Sequence, residues 1–312
     1  MRDSHDDKTK RPERPDFTMQ QSDENRPDIS HLLEGAVDTH MHTGPGAFPR
    51  HDTDLSAARK ARDHGMRAIV IKNHHFETAS RASIARDETG FDVKGGITLN
   101  EWVGGFNPLA IDGIANFDAS IIWMPTITAK NHLENAAISM FKGEERQPEG
   151  LTVFDDAGEL LPEVLATLDR IAEHEFVIGL SHLHPTEAIA VVEAASERGV
   201  DEFLVQHPHA NLLNYTHDQM RQITDLGATL ELHYICKSEM MGYAATTDDF
   251  VAAIDTVGPD NVVMATDGGA TANPPAMEQF KRFIYDMLEA GISESDIETM
   301  IKTNPIRIFD LE

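Results

Sequence analysis

The chain has 312 residues, with 26 Lys and Arg against 53 Asp and Glu, a formal net charge of -27, and 40% hydrophobic residues. That apolar fraction supports a sizeable core and excludes a fully disordered chain or a low-complexity fibre. So negative a field repels phosphate backbones and anionic lipid, which argues against a nucleic-acid or membrane-surface binder.

No run approaches the roughly 18 apolar residues that a membrane span needs. The charged start, Met1 to Lys10, has no apolar segment of the kind a secretory leader carries. The single cysteine, Cys236, has no internal disulfide partner. Together these set the expectation of a cytoplasmic protein. Abundant Asp and scarce Lys point further, to a protein adapted to high salt.

Residues 1–27 are polar and aperiodic and are expected to form a tail. From residue 28 to 312 one pattern repeats, a short β-branched run followed by an amphipathic segment. Ala36 to Thr39 is the first run, followed by a helix from Asp54 to His64 that Gly65 stops. Arg67 to Ile71 is the second run. Val93 to Leu99 is the third, with a helix from about Pro108 to Phe117. Ala119 to Met124 is the fourth. An excursion from Thr126 to about Gly158 follows, and its polar stretch near Gly143 to Gly150 reads as a loop or lid. A helix from Glu159 to His174 resumes the pattern. Phe176 to Leu180 is the fifth run, with a helix from Pro185 to Arg198. Glu202 to Val205, Ala228 to Leu232 and Asn261 to Ala265 complete the series. Helices are expected near Asp218 to Leu226, Asp248 to Val257, Met277 to Glu289 and Ser293 to Leu311.

Eight strand-then-helix units predict an α/β fold of the TIM-type (β/α)8 barrel class. The rival is an open doubly wound sheet. It usually carries a Gly-rich phosphate loop, and neither GxGxxG nor GxxxxGK occurs here. A barrel demands that its chemistry sit at the C-terminal ends of the strands.

The strand ends carry such chemistry. Strand one ends in Asp38-Thr39-His40-Met41-His42, strand two in Lys72-Asn73-His74-His75, and strand five in Ser181-His182-Leu183-His184. Strand six ends in Gln206-His207-Pro208-His209 and strand eight in Thr266-Asp267-Gly268-Gly269. Residues two apart on a strand face one side, so His40 and His42 can both point into the mouth with Met41 turned away. Imidazoles with a carboxylate suit Zn, Fe, Mn or Ni. Three neutral His and one Asp around a divalent ion leave coordination positions for water, whose pKa the metal lowers. Each motif alone is weak, and Asp-Gly-Gly alone is more often a turn. Their shared position at one end of the strands gives them force.

This arrangement resembles the amidohydrolase superfamily of metal-dependent barrels, over about Gly35 to Leu311. The ending Asn304-Pro305-Ile306-Arg307-Ile308-Phe309 is similar to that superfamily's usual close. A nearer likeness, to an amidohydrolase-like branch without an assigned function, is carried by Ile71 to His75, Gly95 to Asn100 and Trp123 to Thr126. The resemblance implies His40, His42, His182, His207 and Asp267 as metal ligands. It favours His182 over His184, which takes the position of a Ser in the superfamily's fifth-strand signal. Many two-metal members bridge their ions with a carboxylated Lys or a Glu at the end of strand four. Here that end reads Met124-Pro125-Thr126. One ion, zinc before the others, is therefore expected, although Lys72 or His74 could reach a second position.

Asp267 is expected to shuttle the proton. Lys72 is a candidate base or a cation for a substrate carboxylate or phosphate. Asn100, His184, His209 and Glu231 are candidate substrate contacts, and Glu231 could alternatively pair with Lys72. Glu231 and His233 alternate on strand seven and could both line the pocket. Trp123 reads as core and Cys236 as inert. His31, His51, His64, His132, His174 and His217 read as surface or packing residues. The implied function is hydrolysis of a small-molecule amide, ester, lactone or related compound by metal-activated water. The alternatives are a one-metal decarboxylase or hydratase and a non-catalytic metal binder. The sequence is compatible with a homo-oligomer and names no surface for one.

Overall fold

A computed structural model of the protein describes residues 26–136, 141 and 147–311. Residues 1–25 of the expected tail, and 143–146 of the expected loop or lid, lie outside the described residues. At the end of that tail, Arg26 lies 4.8 Å over the Tyr285 ring, whose hydroxyl donates to Pro27 O.

Nine strands are found among the described residues: β1 (Val37–His42), β2 (Ala68–Lys72), β3 (Asp92–Lys94), β4 (Gly96–Thr98), β5 (Ile121–Trp123), β6 (Val177–Gly179), β7 (Phe203–Gln206), β8 (Ala228–His233) and β9 (Val262–Ala265). All ladders are parallel, in the orders β1-β2-β3 and β4-β5-β6-β7-β8-β9. β3 and β4 are one path broken at Gly95. A Cβ there would lie 2.5 Å from Thr78 O, and the Thr78 hydroxyl fills the break by accepting from Gly96 N–H and donating to Ile71 O. The expected third strand is therefore present in two pieces.

The cylinder closes between β9 and β1. Met41 bridges Gly268 in parallel, and His42 N–H donates to Gly268 O at 2.8 Å. Asp38 stitches the same seam by accepting from Thr266 N–H and Oγ1 at 3.0 and 2.6 Å. The architecture is the eight-position (β/α)8 barrel.

Alternation sorts the side chains into two cores. Met41, Ile69, Ile71, Ile122, Ile178, Val205, Leu230 and Met264 face the helices. Val37, Val70, Ile121, Trp123, Val177, Leu204 and Val263 cluster inside, closed by Ile308, Phe309 and Leu311 from the C-terminus. Trp123 crosses this interior. A Cβ on Gly179 would lie 2.4 Å from its Cδ1, so only glycine leaves the indole room.

Two helical expectations change. Ala79–Thr89 is a helix that the sequence reading did not place, because its buried face is Ala79, Ala82, Ala85 and Thr89 rather than large apolar residues. The expected helix from Ser293 to Leu311 is three pieces, Glu294–Glu298, a π-turn at Thr299–Thr303, and Asn304–Ile308. Among the described residues no helix is long and apolar enough to cross a membrane.

Candidate metal centre

Strict alternation from Val37 would turn His40 outward. β1 avoids this with a bulge. Asp38 pairs Ile69 and Met41 pairs Ile71, so three steps on β1 match two on β2. A bulge of this kind re-aims the side chains that follow it. His40 and His42 enter the mouth while Met41 stays in the outer core.

The mouth is a cavity of about 390 Å³. His40, His42, Lys72, His74, His182, His207 and Asp267 line it, together with Arg50 and His132. Asp267 is the hub. Its Oδ1 lies 3.1 Å from His42 Nε2 and 3.6 Å from His40 Nε2, and its Oδ2 lies 3.5 Å from His233 Nδ1. Three sets of donor atoms approach closely enough to share an ion: His40, His42 and Asp267; His207, His233 and Asp267; and His40, Glu231 and His233.

Beyond these sets the imidazoles continue around the rim. His182 and His207 have ring centroids 4.9 Å apart, and His42 and His74 are 4.7 Å apart. His182 stacks on His132, with their Nδ1 atoms 2.9 Å apart. Of the implied ligands, the structure brings His40, His42, His207 and Asp267 into the close sets. It leaves His182 one ring further out.

Beneath His40 lies Glu231, fully buried. It accepts from the Thr39 hydroxyl and, at 2.9 Å, from Gln206 Nε2. His40 Nδ1 lies 3.2 Å from its Oε2. A carboxylate on Nδ1 fixes the tautomer that leaves Nε2 free as a ligand. Glu231 thus fixes the tautomer of His40 from below and does not reach the cavity wall.

The structure also keeps Asn100, His184 and His209 off that wall. Asn100 Oδ1 accepts from Thr126 N–H and from the Thr128 amide and hydroxyl, and its amide donates to His74 O and Thr126 Oγ1. This clamps together the segments that follow β2, β4 and β5. His184 caps the helix Pro185–Ser196, and His209 packs edge-on against Phe250 at 5.3 Å. Glu231 and Lys72 form no ion pair within 4 Å among the described residues.

Burial lowers the pKa of His40 to about 4, helped by Lys72 and His233, and that of His42 to about 3, helped by Arg50. Burial also holds His74, His182 and His207 well below the usual range. These rings are neutral, the form that binds metal. Burial favours a protonated Asp267, yet the surrounding His40, His233 and His42 outweigh it and keep its carboxyl well below normal. Burial likewise opposes a charge on His233, but Glu231 and Asp267 prevail and raise its pKa to about 9. Lys72 Nζ sits 5.2 Å over Trp123, and burial lowers its pKa to about 8.

The residues present fit a cation. His42 Nδ1 and His207 Nδ1 are buried without an aligned hydrogen-bond partner. Buried polar atoms are rarely left so, and a bound ion together with its waters is one resolution. The backbone tells the same story. Ser181, His207 and Asp267 hold φ of 52°, 35° and 48°, a left-handed conformation that costs of order 1–3 kcal/mol each and clusters at functional sites. Gly269, at φ 121°, passes so near His42 that a Cβ would lie 1.9 Å from its carbonyl oxygen. The Asp-Gly-Gly motif is thus the seam that brings Asp267 to the two histidines.

His132, expected at the surface or in packing, lines the cavity, whereas His233, expected to line the pocket, lies fully buried off its wall with Nδ1 3.5 Å from Asp267 Oδ2. His233 carried the same signal as His207, a histidine at a strand end in register with an inward residue. His132 comes from the short helix Lys130–Asn135 in the excursion, where periodicity gives no direction.

Fold and site together define a barrel with an imidazole–carboxylate centre at its C-terminal mouth. Residues 35–231 match the model of a family of unknown function, DUF6282, and the chain belongs to that family. No curated protein matches it in sequence. Solved structures with the same fold include an amidohydrolase from Pseudomonas aeruginosa (12% identity, TM-score 0.58, covering 90% of this chain and 97% of that one). A mutant organophosphorus hydrolase from Deinococcus radiodurans has 15% identity and a TM-score of 0.57, covering 89% and 94%. A lactonase from Listeria monocytogenes has 16% identity and a TM-score of 0.56, covering 90% and 96%.

Proposed function

We propose that the protein is a metal-dependent hydrolase of small molecules, working with one divalent ion, zinc in the first instance. The observation that carries this reading is the convergence of His40, His42 and His207 on one carboxylate, Asp267, in an open cavity. The structural neighbours named as amidohydrolase, organophosphorus hydrolase and lactonase lend it support. His40, His42 and Asp267 would hold the ion, with His207 completing the set and His182 next to them. A bound divalent ion supplies Lewis acidity toward a carbonyl or phosphoryl oxygen and acidifies water.

The chain's own groups do the rest. Asp267, an ionised carboxylate in contact with the ligands, accepts the proton of the attacking water and returns it to the leaving group. Glu231 holds His40 in its ligating tautomer. Lys72, fixed over Trp123, presents a cation to the substrate. The concave wall excludes bulk water around the reacting bond.

The test is a panel of esters, lactones, amides and phosphoesters, run on metal-loaded protein and on protein treated with a chelator. Turnover that needs metal, with one oxygen-18 entering the product from labelled water, supports the reading. A product formed without label from water replaces it with a lyase on the same centre, and no turnover on any class leaves a metal-binding protein.

A further inference from the structure

Arg50 stands apart among the arginines of the chain. Among the described residues, every arginine except Arg50 and the exposed Arg59 has a carboxylate within 4.0 Å. That is the expected state of a chain with twice as many acids as bases. Arg50 is half-buried, lines the cavity, and has its guanidinium 5.9 Å from the Phe48 ring. Its backbone is fixed. Arg50 bridges Ala270, and the next amide, His51 N–H, donates to Gly269 O at 2.9 Å. Arg50 therefore stands at a set height above Asp267.

Lys72, the second cation of the cavity, has no ion pair within 4 Å among the described residues. Asp267 is the only acid of the lining, and its oxygens face histidines. Two part-desolvated cations with no ion-pair partner within 4 Å are costly, and an oxyanion supplied from outside offsets that cost. The guanidinium fork suits a carboxylate or a phosphoryl group. An apolar part of the wall is formed by Ile127, Leu212, Ile235, Met240 and Met241.

We infer that the cavity selects substrates bearing an oxyanion, carboxylate or phosphoryl, which Arg50 holds with Lys72 as the second cation, while an apolar body lies on the Leu212, Ile235 and Met240 side. The inference deepens the hydrolase reading above and rests on it for the word substrate. Arg50 is a specificity residue in this account, outside the set that would hold metal.

The experiment uses the full, metal-loaded chain and two chromogenic twins: mono-4-nitrophenyl glutarate, with a free carboxylate, and its neutral methyl ester. The wild type should prefer the anion in kcat/KM. In Arg50→Gln that preference should fall roughly tenfold or more, the loss of a charge-assisted hydrogen bond, and the change should lie mainly in KM. Arg50→Lys should restore part of it, and metal content should be unchanged in both variants. Equal use of the twins by the wild type, or a preference untouched in Arg50→Gln, overturns the inference and leaves the hydrolase standing.

If neither twin turns over, calorimetry with 3-phenylpropanoate, 2-phenylethyl phosphate and neutral 3-phenylpropanamide decides. Binding of either anion that weakens tenfold in Arg50→Gln upholds the anion site, and the tighter of the two names its source. Anion binding that is absent, or indifferent to Arg50, removes the site.

Discussion

The two halves of the barrel interior are built from the same strands and obey opposite rules. In the lower half, Val37, Val70, Ile121, Val177, Leu204 and Val263 surround Trp123, and the interior is apolar and filled. At the upper end the same inward positions become Lys72, Gln206, Glu231 and His233, with His40, His42 and Asp267 above them. Buried nitrogens there lack partners, and three backbone residues sit in the left-handed region. The floor spends its residues on stability, and the mouth gives stability up for a preformed set of donors. Substitutions should separate accordingly, with losses of folding below and losses of chemistry above.

The sharpest separation is expected at Asp267. Asp267→Asn keeps shape and volume, so melting should stay near the wild-type value while turnover falls by roughly 10³-fold, within the range for a lost acid–base group. A variant that turns over normally would refute the role given to this carboxylate.

Trp123→Ala is its counterpart. It empties the centre of the floor and should cost about 3–5 kcal/mol, as large-to-small core changes do. Urea unfolding measures this, and a loss below 1 kcal/mol would show that the floor is not packed as described.

Glu231→Gln lies at the boundary. Its volume is unchanged, but His40 loses the anion that fixes its tautomer, so metal affinity should drop by roughly 10–100-fold. Competition with a chromogenic chelator reads this out, and unchanged affinity would reduce Glu231 to a packing residue.

The smallest effect concerns neither half but the acidic exterior. At a net charge of -27, added KCl should raise the melting temperature steadily through screening of self-repulsion. A melting temperature that falls with KCl would remove the high-salt reading.

Much of the mouth was legible in the sequence because a parallel barrel ties chemistry to strand ends, and strand ends are visible where β-branched runs stop. His40, His42, His207 and Asp267 were found in this way. What stayed hidden depends on tertiary contacts. The bulge that turns His40 inward is a mismatch between β1 and β2 and leaves no mark on β1 alone. Arg50 and His132 come from a loop and a short helix whose direction is set by partners far along the chain, Gly269 and Ala270 for the first and His182 for the second. Asn100 looked like a rim contact because it follows a strand, whereas its amide is fully used in joining three strand ends. The helix Ala79–Thr89 escaped because alanines give too weak an apolar stripe.

The central claim is that side chains distant in sequence form one metal centre, and metal analysis of the purified chain tests it directly. The wild type, reloaded and dialysed, should retain one equivalent of divalent metal per chain. The folded double variant His40→Ala, His42→Ala should retain none. A wild type that holds no metal, or a double variant that binds as much as the wild type, would contradict the account.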